Sequence, residues 1–216
     1  LLHGGGSTVE SANRFYDKAI NLIVFANGKA GLVGEHSGVD GYPVTVITDM
    51  VLEKEKKAWE SGEFSHSARR NSLTTTSKPR LLKWQLTPRV AEALARAATF
   101  HDKNVANLEL NMLKFRNYGS GFIKKVGVSP DGYVQLAMQL SFYKLHKEFV
   151  ATYESCSTRK FLAGRTEVGR VVSNASCKWV RAMVDPNVAD KEKFALFKEA
   201  CDSHVQYMKE ASEGRG

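Results

Sequence analysis

The first 35 residues carry an apolar pattern that is typical of two β-strands joined by a tight turn. Residues 13–35 contain two apolar runs with Asn27-Gly28 between them. Asn-Gly favours a type I′ turn, because both residues tolerate the positive φ that this turn requires. The pattern predicts a β-hairpin whose second strand ends just before residue 36.

Two helices are predicted further along the chain. Thr87-Pro88 and Ser129-Pro130 each offer a side-chain oxygen for the N-cap and a proline that suits the first helical position. The first signal is followed by apolar residues at helical spacing, which indicate a scaffold helix: Val90, Leu94, Ala97, Ala98, Val105, Leu108 and Met112. The second is followed by positions expected to face inward: Val134, Ala137, Leu140 and Leu145.

A shorter apolar face over residues 44–52 predicts the beginning of another helix directly after the hairpin. Charged residues and then a hydroxyl-rich tract dominate residues 53–80. This composition is typical of a surface connection. We therefore predict a polar connection there.

Composition places the chain among globular proteins. Its 216 residues, 43% of them hydrophobic, can bury the core of one large or two small domains. No apolar run approaches the roughly 20 residues that cross a bilayer, so no transmembrane segment is expected. The three cysteines are too few and too irregularly spaced for a disulfide framework or a zinc site, which favours a reducing compartment.

The net charge of +8 does not by itself indicate a nucleic-acid partner. Nucleic-acid binding needs phosphate contacts combined with base readout or stacking. The sequence contains no arginine-rich arm and no basic stripe interleaved with aromatic residues. We expect no nucleic-acid partner, and an ordinary basic enzyme accounts for the charge.

The strongest candidate for chemistry is the run from His36 to Gly41, in which His36 is followed four residues later by Asp40. An imidazole at a strand end can act as a general base, and a nearby carboxylate can fix the turn that holds it. The alternative is a polar residue that merely ends a strand. A metal site at Glu35-His36 is disfavoured, because no histidine follows at helical spacing.

Several further segments occur in an order that matches a known family. They are residues 13–18, 34–37, 129–131, 135–140, 151–158 and the motif Gly164-Arg165-Thr166-Glu167. Together with the His36 motif, they make the chain resemble the carnitine/choline O-acyltransferase family through essentially its whole length.

The resemblance implies an α/β fold of the chloramphenicol-acetyltransferase type, with two domains of mixed sheet and flanking helices, incomplete in this chain. Residues 1–80 would be the later part of the first domain and residues 81–216 the earlier part of the second. Family members are about three times longer, so the chain looks like a fragment. We expect such a fragment to be inactive and to aggregate, because its sheet edges would be open.

The resemblance also implies a reaction, in which an acyl group moves directly between coenzyme A and the hydroxyl of carnitine. His36 would be the general base, and Asp40 would pair with Arg165 to orient it. Acyl-coenzyme A would be a co-substrate, with no resident cofactor and no metal. Its implied contacts are Lys124, Lys125, Ser129, Asp131 and Ser157. Cys156 ranks low as a nucleophile, because no second histidine motif accompanies it.

The motif at residues 164–167 is similar to that of the carnitine-using members, whereas choline-using members have valine, aspartate and asparagine after the arginine. Tyr153, Ser155 and Thr166 would bind carnitine, because hydroxyls can donate to its carboxylate and choline has none. The short-chain, acetyl-transferring members are the most similar. Longer acyl chains, or a non-catalytic protein of the same fold, remain alternatives.

Four positions depart from the family pattern. Lysine is common at the position of Ser120, and a basic residue that contacts coenzyme A is common at that of Val205. Threonine and isoleucine are common where this chain has Val168-Gly169, and glycine there is expected to loosen a strand. The resemblance further implies a monomer when full length and a mitochondrial or peroxisomal location, with the cytosol as the third choice.

Overall fold

The computed structural model describes residues 3–63 and 80–216. The chain divides into two compact units, Leu1–Asn111 and Met112–Gly216. Each unit combines helices with one two-stranded antiparallel sheet. The predicted α/β class is therefore confirmed, while the chloramphenicol-acetyltransferase architecture and the domain limits of 1–80 and 81–216 stay predictions.

The first unit contains the predicted hairpin, with β1 at Ile20–Val24 and β2 at Ala30–Gly34. Its register places Leu22 opposite Leu32. The turn type differs from the prediction. The Phe25 N–H donates to the Lys29 carbonyl at 2.8 Å and the Gly28 N–H to the Phe25 carbonyl at 2.9 Å.

Among the described residues, positive φ outside glycine occurs at Lys147 and Ala163 only, so Asn27 does not meet the type I′ requirement. Gly28 alone takes the left-handed conformation, with φ of 80°. The result is a three-residue loop with a glycine bulge. The predicted type I′ turn is wrong, because this loop needs a positive φ at Gly28 only, whereas a type I′ turn needs a positive φ at two successive residues.

Helix α1 spans Gly41–Glu60 and continues into the segment predicted as a polar connection. Lys57 pairs with Glu53 at 2.7 Å and Lys56 with Glu60 at 3.9 Å, each four residues apart. Such pairs stabilise an exposed helical turn by a few tenths of a kcal/mol each, about 0.3–0.5. The prediction of a connection is therefore wrong for residues 53–60, and its residues 64–79 lie outside the described part of the chain.

Helix α2 spans Pro88–Ala106 and begins at the predicted cap, where Thr87 Oγ1 accepts from the Val90 N–H at 3.4 Å. It ends before Leu108 and Met112, which the spacing had included. Within the described part of the first unit, no residue of α1 or α2 is buried. Apolar spacing identified a face that is suited to burial, and the described residues of the unit leave that face exposed.

The second unit holds the core of the described chain. Its helices are α3 at Ser120–Lys125, α4 at Pro130–His146, α5 at Asn174–Val184 and α6 at Asp190–Ser212. Its strands are β3 at Tyr153–Ser157 and β4 at Thr166–Arg170. Leu136, Trp179, Val180, Ala200 and Cys201 are buried where α4, α5 and α6 pack together.

Helix α4 begins as predicted, with Ser129 Oγ accepting from the Gly132 N–H at 3.2 Å. Its inward face is not the predicted one: Gly132, Leu136 and Gln139 are buried, whereas Val134 and Leu145 are 51% and 78% exposed. The helix carries apolar residues around most of its circumference, so spacing alone allowed more than one face. Of the predicted set, Leu140 packs against the core.

The β3–β4 hairpin lies against α6. Cys156 on its inner face donates its thiol to the Met208 carbonyl at 3.3 Å. Gly169 is buried, and a Cβ there would lie 2.5 Å from Met208 Sδ. Instead of loosening the strand, as the sequence suggested, this glycine makes room for the methionine side chain. In the described ranges, no helix is long and apolar enough to cross a membrane.

Candidate functional site

His36 lies where the sequence placed it, two residues beyond the end of β2 and in the loop that leads into α1. Its side chain is exposed. The neighbouring loop is held by Glu35, whose carboxylate accepts from the Ser37 N–H at 3.0 Å and from the Ser37 hydroxyl at 2.5 Å. The loop is therefore ordered beside an accessible imidazole, which is the arrangement that a base for an external substrate requires.

Asp40 is the N-cap residue of α1 and is half-buried. Arg165 directly precedes β4 and is exposed. The two residues belong to different units. Their predicted ion pair stays a prediction.

The hairpin of the second unit gathers the residues that were predicted to bind carnitine. Side chains on a strand alternate between faces, so Tyr153, Ser155 and Ser157 share one side of β3. Thr166 pairs with Ser157 across the sheet and therefore projects from the same side. All four residues are exposed. One sheet face thus presents three hydroxyl side chains and a phenol to an incoming ligand.

The loop between β3 and β4 explains the glycine of the motif at 164–167. A Cβ on Gly164 would lie 2.1 Å from the Thr158 carbonyl oxygen. That oxygen accepts from the Phe161 N–H at 3.0 Å, while the Thr158 N–H donates to the Arg165 carbonyl at 3.0 Å. Gly164 is required by this close backbone approach, and the loop sets where Arg165 and Thr166 begin β4.

The predicted coenzyme A contacts occupy the end of α3 and the start of α4. Lys124 and Lys125 form the exposed last turn of α3. Ser129 caps α4, and Asp131 follows in its first turn with 59% of its side chain exposed. The Gly132 N–H is already bonded to Ser129, so that amide is not free for an anion. Cationic side chains are the stronger anion ligands here.

A buried polar cluster that the sequence did not predict lies beside these residues. His204 of α6 has a side chain only 6% exposed, and its Nε2 lies 2.8 Å from Asp131 Oδ2. A carboxylate oxygen accepts, so Nε2 is assigned as the donor. The same nitrogen is 3.5 Å from Glu154 Oε1 of β3. The Gln135 side-chain amide donates to the other Glu154 oxygen. No motif in the sequence joins these residues, which are far apart along the chain.

The surroundings of Glu154 disfavour its charged form. Burial raises the pKa of this carboxyl group, the nearby Asp131 charge raises the pKa further, and His204 opposes both effects. The ligand-type atoms of Asp131, Glu154 and His204 lie within 4.8 Å of one another. This spacing would fit a cation. In the structure, the Nε2–H of His204 faces the carboxylates of Asp131 and Glu154.

Cysteine chemistry is disfavoured by the structure. Cys156 is buried, and burial raises the pKa of its thiol, with Glu154 adding to the effect. Burial also raises the pKa of Cys201 to about 11. A nucleophilic cysteine needs its thiolate near neutral pH. Both thiols are better suited to packing.

Comparison with known proteins gives the family. The family model of choline/carnitine O-acyltransferases matches residues 2–216. The chain belongs to this family. Choline O-acetyltransferase of Gallus gallus is 38% identical over 209 residues, which are 96% of this chain and 32% of that protein. Carnitine O-acetyltransferase of Rattus norvegicus is 33% identical over 214 residues, 99% of this chain and 33% of the relative.

The human carnitine O-acetyltransferase is 34% identical over 214 residues, again covering 99% of this chain and 33% of the relative. The chain thus spans about a third of the length of the curated relatives it matches. Identity alone does not separate carnitine from choline as the acceptor, because relatives with either name match at similar levels.

Proposed function

We propose that this chain carries part of the catalytic site of a carnitine acyltransferase that moves an acetyl group between coenzyme A and carnitine. The observation that supports this best is the exposed hydroxyl face of the β3–β4 hairpin, on which Tyr153, Ser155 and Thr166 lie together. A carboxylate accepts hydrogen bonds from several hydroxyls at once. Carnitine offers such a carboxylate, and choline does not.

In the proposed reaction, His36 takes the proton from the carnitine hydroxyl as its oxygen attacks the carbonyl carbon of the thioester. The new carbon–oxygen bond forms, the carbon–sulfur bond breaks, and the thiolate of coenzyme A receives the proton from His36. No acyl-enzyme is needed. Lys124 and Lys125 would bind phosphate groups of coenzyme A, with Ser129, Asp131 and Ser157 as further contacts.

Choline is the second candidate acceptor, and a specific observation favours it. Choline O-acetyltransferase of Gallus gallus is 38% identical, slightly above the 34% of human carnitine O-acetyltransferase. The hydroxyl face argues for carnitine, since a quaternary ammonium group without a carboxylate gains little from hydroxyl donors. The hydroxyl face consists of the atoms that would touch the acceptor, so it supports carnitine more directly than overall identity supports choline.

Substrate choice can be measured with the complete gene product and acetyl-coenzyme A. We expect carnitine to have a kcat/KM at least ~10² times that of choline, because hydroxyls that bond the carnitine carboxylate would be left without a partner in the choline complex, at a cost of about 3 kcal/mol. Tyr153→Phe and Thr166→Val should each raise KM for carnitine about tenfold and leave KM for acetyl-coenzyme A within about twofold.

Thr152→Val is the matched control, because Thr152 precedes β3 and its hydroxyl donates to the Val150 carbonyl at 3.1 Å. This variant should keep both KM values. Equal kcat/KM for choline and carnitine would overturn the choice of acceptor. A preference for long acyl-coenzyme A would replace the acetyl assignment, and absence of any transfer would favour a non-catalytic role.

The proposed ion pair of Asp40 and Arg165 can be tested by a double-mutant cycle on kcat. Asp40→Asn and Arg165→Gln should each lower kcat by one to two powers of ten, about 1.4–2.8 kcal/mol. The double variant should be little worse than either single variant, because the second change removes a partner that is already lost. Additive losses in kcat would show that the two side chains act separately.

We propose a mitochondrial or peroxisomal location for the protein, with the cytosol as the third choice. Acyl-coenzyme A and carnitine would be its partners, and the complete protein would act as a monomer.

A further inference from the structure

His204 connects two elements that carry different halves of the proposed site. Asp131, to which it donates, lies in the first turn of α4 with Ser129. Glu154, 3.5 Å from the same nitrogen, lies in β3 between Tyr153 and Ser155. Asp131 and Ser129 are proposed coenzyme A contacts. Tyr153 and Ser155, on either side of Glu154 in the sequence, are proposed carnitine contacts.

The geometry leaves little freedom in this connection. A Cβ on Gly132 would lie 3.4 Å from His204 Cδ2 and 3.7 Å from the Cys201 Cα, so α6 approaches the first turn of α4 closely. The His204 side chain is 6% exposed, and Asp131 is 59% exposed. A buried imidazole therefore holds a carboxylate whose other side remains open to solvent or ligand.

The imidazole Nε2 has one proton to share between two carboxylates. Asp131 receives the short contact of 2.8 Å, and Glu154 Oε1 is buried without a hydrogen-bond partner. A shift of α6 relative to α4 or to β3 would change the distances from His204 Nε2 to the two carboxylates. A displacement of α4 consequently changes the contact that His204 makes with β3, and a displacement of β3 changes the contact with α4.

We infer that His204 is a positioning residue that couples the two substrate sites, because its Nε2 donates to Asp131 on α4 and lies 3.5 Å from Glu154 Oε1 on β3. The inference rests on the proposed function. His204 would touch neither the reacting atoms nor the acceptor. It would set the spacing of the coenzyme A contacts relative to the hydroxyl face, so that binding of one substrate prepares the site for the other.

The test uses the complete gene product and a pair of variants of equal side-chain length. His204→Gln can place an amide N–H close to the position of Nε2, and His204→Met fills similar space without a donor. For the Met variant, we expect KM to rise about tenfold for both carnitine and acetyl-coenzyme A, with kcat changed less than about threefold. The Gln variant should stay within about threefold of the wild type in both KM values.

The coupling itself is measured as the factor by which saturating carnitine changes the dissociation constant of coenzyme A. That factor should approach one in the Met variant and persist in the Gln variant. Leu196→Ala is the control, because Leu196 is a core residue of α6 that is only 9% exposed, outside the cluster. It should lower thermal stability and leave the coupling factor unchanged.

Hydrogen exchange provides a readout that does not depend on turnover. The Met variant should exchange faster at the first turn of α4 and along β3, with α5 unchanged. Glu154→Gln replaces the carboxylate that faces both His204 and the Gln135 amide, and it should weaken the coupling even if the Met variant fails to fold.

Equal constants for the Met and Gln variants, or a coupling factor unchanged by Glu154→Gln, would overturn the role of His204 while the proposed transfer stands. A wild-type protein that does not transfer acetyl to carnitine overturns the proposed function itself, and with it the coupling role that rests on it.

Discussion

Replacement of His36 by alanine is expected to abolish most of the acetyl transfer catalysed by the complete gene product. General-base catalysis is worth about 10²–10⁴ in rate, and the wild-type chain places the exposed imidazole in the ordered loop after β2. KM for either substrate should change less than about threefold, because the base acts mainly in the transition state. Steady-state kinetics with acetyl-coenzyme A and carnitine measure both constants.

The matched control for His36 is Ser37→Ala in the same loop, which removes the hydroxyl that donates to Glu35 at 2.5 Å and keeps the imidazole. It should retain kcat within about threefold. Circular dichroism and thermal unfolding should be the same for His36→Ala and the wild type, since an exposed side chain contributes little to the core. Near-normal kcat in a folded His36→Ala protein would remove His36 from the mechanism.

Gly164→Ala is expected to have the largest effect on the hairpin. A Cβ at 2.1 Å from the Thr158 carbonyl oxygen cannot be accommodated without movement of backbone, so we expect a loss of more than about 2 kcal/mol in hairpin stability. Tyr153 and Thr166 would lose their common face, and KM for carnitine should rise at the same time. Hydrogen exchange across β3 and β4 measures the local loss.

The neighbouring residue provides an opposite control. Ala163 has a φ of 56°, which costs an alanine about 1–2 kcal/mol relative to glycine. Ala163→Gly relieves this strain. Glycine also raises the conformational entropy of the unfolded chain, which offsets part of the stabilisation. We expect it to be neutral or stabilising by up to about 1 kcal/mol. A Gly164→Ala hairpin as protected as that of Ala163→Gly would contradict the steric account.

The sequence predicted local features well, because each depends on residues that are close together along the chain. Thr87 and Ser129 cap α2 and α4 as expected, since a side-chain oxygen three residues before a free N–H is a local arrangement. The hairpin with its tip at Gly28 followed from glycine chemistry. The turn type did not, because one glycine or two positive-φ residues can both reverse the chain.

Burial was predicted less well, because it depends on what the rest of the structure brings to each face. Val90 and Leu94 of α2 are 42% and 54% exposed despite their helical spacing. Residue spacing in α4 could not choose between Leu136, which is 2% exposed, and Val134, which is 51% exposed. When a helix carries apolar residues on both sides, their spacing does not indicate which side is buried.

In the candidate site too, the local features could be predicted from the sequence, and the contacts between distant residues could not. The common face of Tyr153, Ser155 and Thr166 arises from strand alternation and a short loop, so a motif could indicate it. The cluster of Asp131, Glu154 and His204 joins residues that are 73 and 50 positions apart from His204 in the sequence, with no local pattern to reveal it. Only the packing of α6 against α4 and β3 brings them together.

The packing of Met208 over Gly169 has a consequence for how this sequence can diverge. The β-carbon of any larger residue at position 169 would lie 2.5 Å from the Met208 sulfur and 3.1 Å from the Glu154 carbonyl oxygen. A flexible methionine can turn aside for alanine, whereas a branched residue such as isoleucine needs more space. The two positions are therefore coupled: we expect a larger residue at 169 to be tolerated better when position 208 carries a smaller side chain.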